Sequence, residues 1–105
     1  MDIDAMRKAA AQAGAMLRIL GNEDRLLLLC RLSQGEMAVS ELAQALDIRQ
    51  PTLSQQLGVL REEGLVSTRR AGKQIYYAVA DAKALALLHT LYQLYCPQPE
   101  NRDDH

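Results

Sequence analysis

Residues 50–79, QPTLSQQLGVLREEGLVSTRRAGKQIYYAV, predict a helix followed by a basic β-hairpin. Pro51 suits the first turn of a helix, because the amide that it lacks would have no partner there. Apolar residues recur at helical spacing and predict one buried face: Leu53, Leu57 and Leu60. Gly64 predicts a left-handed cap at the end of this helix. A polar helix face beside a basic hairpin suits contacts with base edges and phosphates, so the segment predicts DNA binding.

Two short strand-like runs, residues 65–66 and 75–79, predict the hairpin itself. The turn between them is predicted to be basic and to consist of Arg69, Arg70, Gly72 and Lys73. Gly58 lies inside the preceding helix, where glycine costs about 1 kcal/mol relative to alanine. We therefore predict that Gly58 permits a close packing contact.

The charge of the chain is divided unevenly, although the net charge is only −1. Residues 49–80 contain five basic and two acidic residues, a local net charge of +3. The remainder contains seven basic and eleven acidic residues, a net charge of −4. The positive charge is therefore concentrated on the predicted DNA-binding segment, where it can replace phosphate counterions.

Helical patterns and capping residues organise the rest of the 105 residues. They predict helices at residues 4–20 and 39–46, a second helix that Asn22 caps and that runs to about Leu32, and a last helix that Asp81 caps and that runs to about Tyr95. In the first turn of the second helix, the carboxylates of Glu23 and Asp24 are expected to oppose the helix dipole. The predicted fold is mainly α with a two-stranded β-wing (α+β), a winged helix-turn-helix in the order helix, helix, helix, helix, strand, strand, helix. We expect one domain over residues 1–105, ordered from about 4 to 97, with a polar tail at 98–105.

The first and last helices carry more apolar surface than so small a domain can cover by itself. We therefore expect a homodimer that forms through these two helices. A two-fold dimer would present two recognition helices one DNA turn apart, which matches an inverted-repeat operator in double-stranded DNA. No apolar run approaches the length of a membrane span and no signal peptide is recognised, so a cytoplasmic protein is expected.

Most of the chain, from about residue 8 to 97, resembles the ArsR/SmtB family of dimeric winged-helix repressors. The resemblance is carried by LRILGNEDRLLLLCRL, SELAQALDIRQPTLSQQLGVLREEGLV and RRAGKQIYYAV. It implies that four residues face the major groove: Gln50, Thr52, Ser54 and Gln55. It also implies that four basic residues contact phosphates or the minor groove: Arg49, Arg69, Arg70 and Lys73.

Many repressors of this family sense metals, but neither of the family's two metal-site patterns is present. The third helix, SELAQALD, contains no cysteine for a thiolate site. The last helix offers only Asp81 and His89, and Asp81 is better explained as a helix cap. We therefore predict no metal and no cofactor.

Two cysteines remain, Cys30 near the end of the second helix and Cys96 at the end of the last. Together with LLLLCRL, KQIYY and LYQLYC, they resemble the sulfide-responsive BigR/SqrR-type branch of the family. The resemblance implies a dithiol that reactive sulfur species convert to a disulfide or polysulfide, after which the repressor leaves its operator and sulfide-detoxification genes are expressed. Tyr92 and Tyr95 are expected either to line a pocket between the cysteines or to lie in the dimer core.

Several alternatives remain open at this point. The cysteines could bind a thiophilic metal or an arsenical, or respond to thiol oxidants in general. A thiol oxidoreductase is less favoured, because the chain lacks a C-x-x-C motif, and no enzyme activity is predicted. A dimerisation module whose wing does not bind DNA is the last alternative.

Overall fold

A computed structural model describes residues 2–96 and confirms a winged helix-turn-helix. The helices are α1 Ile3–Leu20, α2 Glu23–Leu32, α3 Val39–Leu46, α4 Gln50–Glu62 and α5 Ala82–Tyr95. The strands are β1 Met37–Ala38, β2 Val66–Ala71 and β3 Gln74–Val79. The predicted polar tail at 98–105 lies outside the described residues. No helix within residues 2–96 is both long and apolar enough to cross a lipid bilayer.

Side-chain caps begin the two helices that carry the cysteines. The Asn22 side chain accepts a hydrogen bond of 3.0 Å from the amide of Arg25 at the start of α2. The Asp81 side chain accepts one of 2.9 Å from the amide of Ala84 at the start of α5. These caps satisfy amides that the helix itself leaves without a partner, and both were predicted.

The sheet has three strands rather than the predicted two, in the order β1-β3-β2. The additional strand, β1, is antiparallel to β3, with Met37 opposite Tyr77 and Ala38 opposite Tyr76. Two residues are too few to show the alternation that identifies a strand in sequence. β1 forms because the edge of β3 is available for pairing, and that edge exists only once the chain has folded.

The prediction that Arg69 and Arg70 belong to the basic turn was wrong, because the turn is shorter than predicted. Strand β2 continues through Ala71, so Arg69 pairs with Tyr76 and Arg70 with Ile75 within the ladder. The loop is only Gly72–Lys73, and Gly72 has the positive φ of +63° that the first position of a type II′ hairpin requires. Adjacent strand residues face opposite sides of the sheet, so Arg69 and Arg70 do not act as one cluster.

The core is built from leucines contributed by every helix and by the start of the wing. Three leucines of α4 are buried, as their spacing predicted: Leu53, Leu57 and Leu60. They pack in one cluster with further buried residues of the other elements: Leu20, Leu28, Leu29, Leu32, Leu42, Leu65, Val66, Ala84 and Leu88. The turn between α3 and α4 is made by Asp47, whose φ of +54° places it in the left-handed region. Gly64 ends the α4 segment with a φ of +78°, which confirms the predicted left-handed cap.

The prediction that Gly58 permits a close contact was wrong. Gly58 is exposed, and apart from its chain neighbours and its own helical backbone no atom of residues 2–96 lies within 4 Å of the position that a Cβ would occupy. Nothing in the described part of the chain therefore requires glycine at that position.

We expect Gly58→Ala to raise the free energy of unfolding by about 1 kcal/mol, because alanine restricts the unfolded chain and favours the helix. Thermal unfolding followed by circular dichroism measures the change. Gly64→Ala is the matched control and should lower stability, because a Cβ is strained at a φ of +78°. A loss of stability in Gly58→Ala would show that another surface packs closely against this position.

Candidate nucleic-acid interface and dithiol cavity

The α4 helix presents a polar face opposite its buried leucines. Gln50, Ser54 and Gln55 are exposed, while Thr52 is half-buried. Arg49 is also exposed and is the N-cap residue of α4. Three of the four predicted major-groove residues are therefore exposed on the recognition helix, as a groove-binding helix needs its polar side chains to be, whereas Thr52 is only partly exposed.

Gln56 belongs to a different contact, which joins three helices. Its Oε1 accepts a hydrogen bond of 3.2 Å from Nη1 of Arg25 on α2. The same guanidinium donates from Nε to the carbonyl of Ile19 at 2.8 Å and from Nη2 to that of Arg18 at 3.4 Å. Arg25 thus connects the end of α1, the start of α2 and the recognition helix. Sequence reasoning did not find it, because its partners are separated along the chain.

The two arginines of the wing have different surroundings. Arg69 donates from Nε to both carboxylate oxygens of Glu36 at 2.9 Å and lies over the ring of Tyr76, 4.9 Å from its centroid. The hydrogen bond from Arg69 lowers the pKa of Glu36. Arg70 and Lys73 are exposed on the wing. Glu36 was not among the predicted site residues, because it lies outside the wing in sequence.

The two cysteines line one cavity, although they are 66 residues apart in the chain. The cavity has a volume of about 500 Å³ and lies between α2 and α5. Both cysteines are half-buried. Burial raises the pKa of the Cys30 thiol, and the charge of Cys96 raises it further. The structure therefore brings the predicted pair together.

Most of the cavity wall is apolar, and its charged lining is acidic. The apolar and aromatic lining residues are Leu26, Leu27, Leu91, Tyr92 and Tyr95. The first-turn carboxylates of α2, from Glu23 and Asp24, complete it. The sequence explained these carboxylates by their opposition to the helix dipole, which still holds. That they also line a cavity was visible only in the structure.

Within residues 2–96, no three His, Cys, Asp or Glu side chains are grouped so that they could hold a metal ion. His89 does not line the cysteine cavity. It lies instead in a separate depression of about 280 Å³ with Ser33, Gln34 and Gln93. Tyr92 lines both spaces.

The first and last helices expose large apolar side chains, as their sequences suggested. On α1 these are Ile3, Met6 and Leu17, and on α5 they are Leu87, Leu94 and Tyr95. Leu94 and Tyr95 are 70% and 80% exposed, which is a large apolar area for the end of one helix.

Comparison with known proteins places the chain in a family. The profile described as "Bacterial regulatory protein, arsR family" matches residues 22–68, which span α2, the helix-turn-helix and the start of the wing. The biofilm growth-associated repressor of Agrobacterium fabrum is 52% identical over 99 residues, covering 94% of this chain and 85% of the relative.

Solved structures agree with the sequence comparison. The transcriptional repressor BigR from Xylella fastidiosa superposes with a TM-score of 0.84 at 49% identity, covering 93% of this chain and all of that one. Reduced HlyU from Vibrio cholerae superposes with a TM-score of 0.86 at 37% identity, covering 90% of this chain and all of that one. The chain therefore belongs to the arsR family of bacterial DNA-binding transcriptional regulators and, within it, to the branch typified by BigR.

Proposed function

We propose that this protein is a homodimeric repressor that senses reactive sulfur species, persulfide or polysulfide, through Cys30 and Cys96. In this proposal the reduced dimer binds an inverted-repeat operator, and an oxidised or sulfur-bridged pair releases it, which derepresses sulfide-detoxification genes. The observation that carries the proposal is the convergence of the two cysteines on one cavity. One solved structure similar to this chain, that of HlyU from Vibrio cholerae, is described as the reduced protein.

The chemistry needs both thiols and a sulfur donor of the persulfide class, R–S–SH. One cysteine thiolate attacks the outer sulfur of the donor, the donor's S–S bond breaks, and the thiol R–SH is released after protonation. The second cysteine then attacks the inner sulfur of the resulting Cys–S–SH, which forms a disulfide and releases hydrogen sulfide. The dithiol is oxidised by two electrons, and the donor's outer sulfur is reduced to sulfide. A second donor molecule that extends the Cys–S–SH before closure gives a trisulfide instead.

Arg25 offers a path from the cavity to DNA. Its helix, α2, carries Cys30, and its side chain holds Gln56 on the recognition helix. Its other hydrogen bonds reach the end of α1, whose exposed apolar residues we assign to the dimer interface together with those of α5. A bridge between α2 and α5 would therefore shift the recognition helix relative to the dimer axis. A dimer needs both helices in register with its half-sites, so a small shift is enough to lose one.

The test combines operator binding with intact-protein mass spectrometry on the reduced full-length chain. Treatment with an organic persulfide should release a fluorescently labelled inverted-repeat operator. In parallel, the mass of the protein should fall by two hydrogens for a disulfide, or change by that loss and the gain of one or more sulfur atoms for a longer bridge. Peptide mapping without reductant should place the bridge between Cys30 and Cys96. Release that accompanies a retained metal, or release without any bridge, would contradict the proposal.

The reactivity of Cys30 should depend steeply on pH. Because burial raises its pKa, the thiol is mainly protonated near neutral pH, and only the thiolate is nucleophilic. In the Cys96→Ser variant, the rate at which iodoacetamide alkylates Cys30 should still be rising at the pH where a cysteine in an unstructured peptide has levelled off. Burial, which is the larger cause of the raised pKa, remains in this variant. A plateau at the same pH as the peptide, or at a lower pH, would show an ordinary or lowered pKa.

Arg70 and Lys73 should account for a salt-dependent part of operator affinity. If each contacts a phosphate, removing either should reduce the slope of log affinity against log salt by about 1 and weaken different sequences equally. Fluorescence anisotropy at several salt concentrations measures this for Arg70→Ala and Lys73→Ala. Glu63→Gln, which removes an exposed charge at the C-cap of α4, is the control. An unchanged slope in both wing variants would remove the wing from the proposed interface.

A further inference from the structure

We infer that the dithiol cavity selects its inducer by charge and polarity, taking uncharged organic sulfur donors and disfavouring anionic ones. The inference rests on the proposed function, since it concerns the donor that reacts with Cys30 and Cys96. It assigns Glu23 and Asp24 as specificity-determining residues at the cavity.

The size of the cavity indicates an organic donor. A volume of about 500 Å³ lies within the range of sites for small organic ligands, about 300–1,000 Å³. One or two bridging sulfur atoms occupy only a small part of it. The remaining space can hold the organic group of a donor while its sulfur chain reaches the cysteines.

The wall of the cavity favours an apolar group. Leucine side chains of α2 and α5 form it together with the two tyrosines of α5, Tyr92 and Tyr95. An apolar group that leaves water for this surface gains free energy in proportion to the area covered. An anionic group would instead lose hydration, and no Lys, Arg or His among residues 2–96 lines the cavity to pair with it.

The carboxylates exclude anions more directly. Glu23 and Asp24 line the cavity, and no Lys, Arg or His of residues 2–96 does so. Arg25, which follows these carboxylates in sequence, directs its guanidinium to Ile19, Gln56 and Arg18 instead. Arg31, which follows Cys30, does not line the cavity. The positive end of the α2 dipole is offset by the same two carboxylates. An anionic donor therefore meets two like charges, and the part of the chain that the structure describes places no cation in the lining to compensate them.

Two trisulfides test the inference, because neither ionises at sulfur. Diallyl trisulfide is uncharged, and glutathione trisulfide carries anionic groups. In each case a cysteine thiolate attacks an outer sulfur, giving Cys–S–S–R and releasing R–S–S⁻, and the second cysteine displaces R–S⁻ to close the disulfide. The products are one protein disulfide, one R–SH and one R–S–SH. Rates of bridge formation, followed by quenched mass spectrometry, are compared with rates for N-acetylcysteine to correct for intrinsic reactivity.

We expect the wild-type protein to prefer diallyl trisulfide by about tenfold or more after this correction. The double variant Glu23→Gln, Asp24→Asn should react about three- to tenfold faster with glutathione trisulfide and within about twofold of wild type with diallyl trisulfide. The double variant Glu62→Gln, Glu63→Gln makes the same change of net charge at two exposed residues, the last residue of α4 and its C-cap, and should leave both rates near wild type.

The outcomes separate this inference from the proposed function. If neither trisulfide links Cys30 to Cys96 in the wild-type protein, the proposed function fails. If both link them at equal corrected rates, or if the α4 control reproduces the effect of the cavity variant, only the inferred selectivity fails. Circular dichroism melting of each variant confirms that the proteins compared are folded.

Discussion

Replacing Cys30 with serine is expected to abolish polysulfide-induced release of the operator while leaving the affinity of the reduced protein within about twofold of wild type. The hydroxyl of serine is close in size to a thiol but is not a comparable nucleophile at neutral pH, so no bridge to α5 can form. Cys30 is half-buried at the cavity and lies apart from the polar face of α4, so basal DNA binding does not depend on it. Operator anisotropy, titrated with an organic persulfide before and after addition of a thiol reductant, measures both quantities.

Cys96→Ser is the matched variant on the other wall of the cavity and should lose the response equally. In each single variant the remaining cysteine can still acquire sulfur from the donor, and mass spectrometry should detect that adduct without release of DNA. A single variant that releases DNA at wild-type inducer concentrations would show that modification of one thiol is sufficient. The bridge would then have no role in the mechanism.

Leu57→Ala is expected to lower the free energy of unfolding by about 2–5 kcal/mol, because Leu57 is only 1% exposed in the core. Alanine favours the helix at least as well as leucine, so the loss comes from packing rather than from helix propensity. The total free energy of unfolding of such domains is about 5–15 kcal/mol, so the variant should unfold at a much lower denaturant concentration. Urea unfolding at equilibrium measures the change, with protein concentration held constant because a dimer gains stability with concentration.

Gln55→Ala, on the opposite face of α4, should lower operator affinity while leaving the stability of the protein nearly unchanged. Gln55 is exposed, so stability should remain within about 0.5 kcal/mol of wild type. If its amide pairs with an adenine, operator affinity should fall by about 1–3 kcal/mol, with specificity relaxed at one base pair. If Gln55→Ala leaves operator affinity unchanged, Gln55 makes no base contact. A cost below about 1 kcal/mol for Leu57→Ala would mean that the core refills the space.

The two faces of α4 also show how far a single sequence can predict this fold. Leucine spacing and Pro51 predicted the helix and its buried side, and Asn22 and Asp81 predicted where the cysteine-bearing helices begin. These signals arise from contacts between backbone amides and side chains within about four residues of each other. The residues that make such contacts are neighbours in the sequence, so the contacts can be predicted from it. Strand β1 and the extent of β2 were missed because strand pairing depends on a distant partner.

The candidate site divides in the same way. Sequence supplied Cys30 and Cys96 as candidates, and a family resemblance supplied their pairing. Their shared cavity depends on α2 packing beside α5, which no local pattern encodes. The ion pair between Glu36 and Arg69 and the hydrogen bond between Arg25 and Gln56 join residues 33 and 31 positions apart.

Sequence by itself determined the helices, their caps, the face of α4 that is buried and the family to which the chain belongs. The tertiary structure alone decided which wing arginine pairs with Glu36, that Gly58 lies in open space and that two carboxylates line the dithiol cavity. The physical reason is the range of the forces involved. Helix periodicity and capping act between neighbours in the chain, whereas cavities, ion pairs and sheet edges are created by contacts that exist only after the chain has folded.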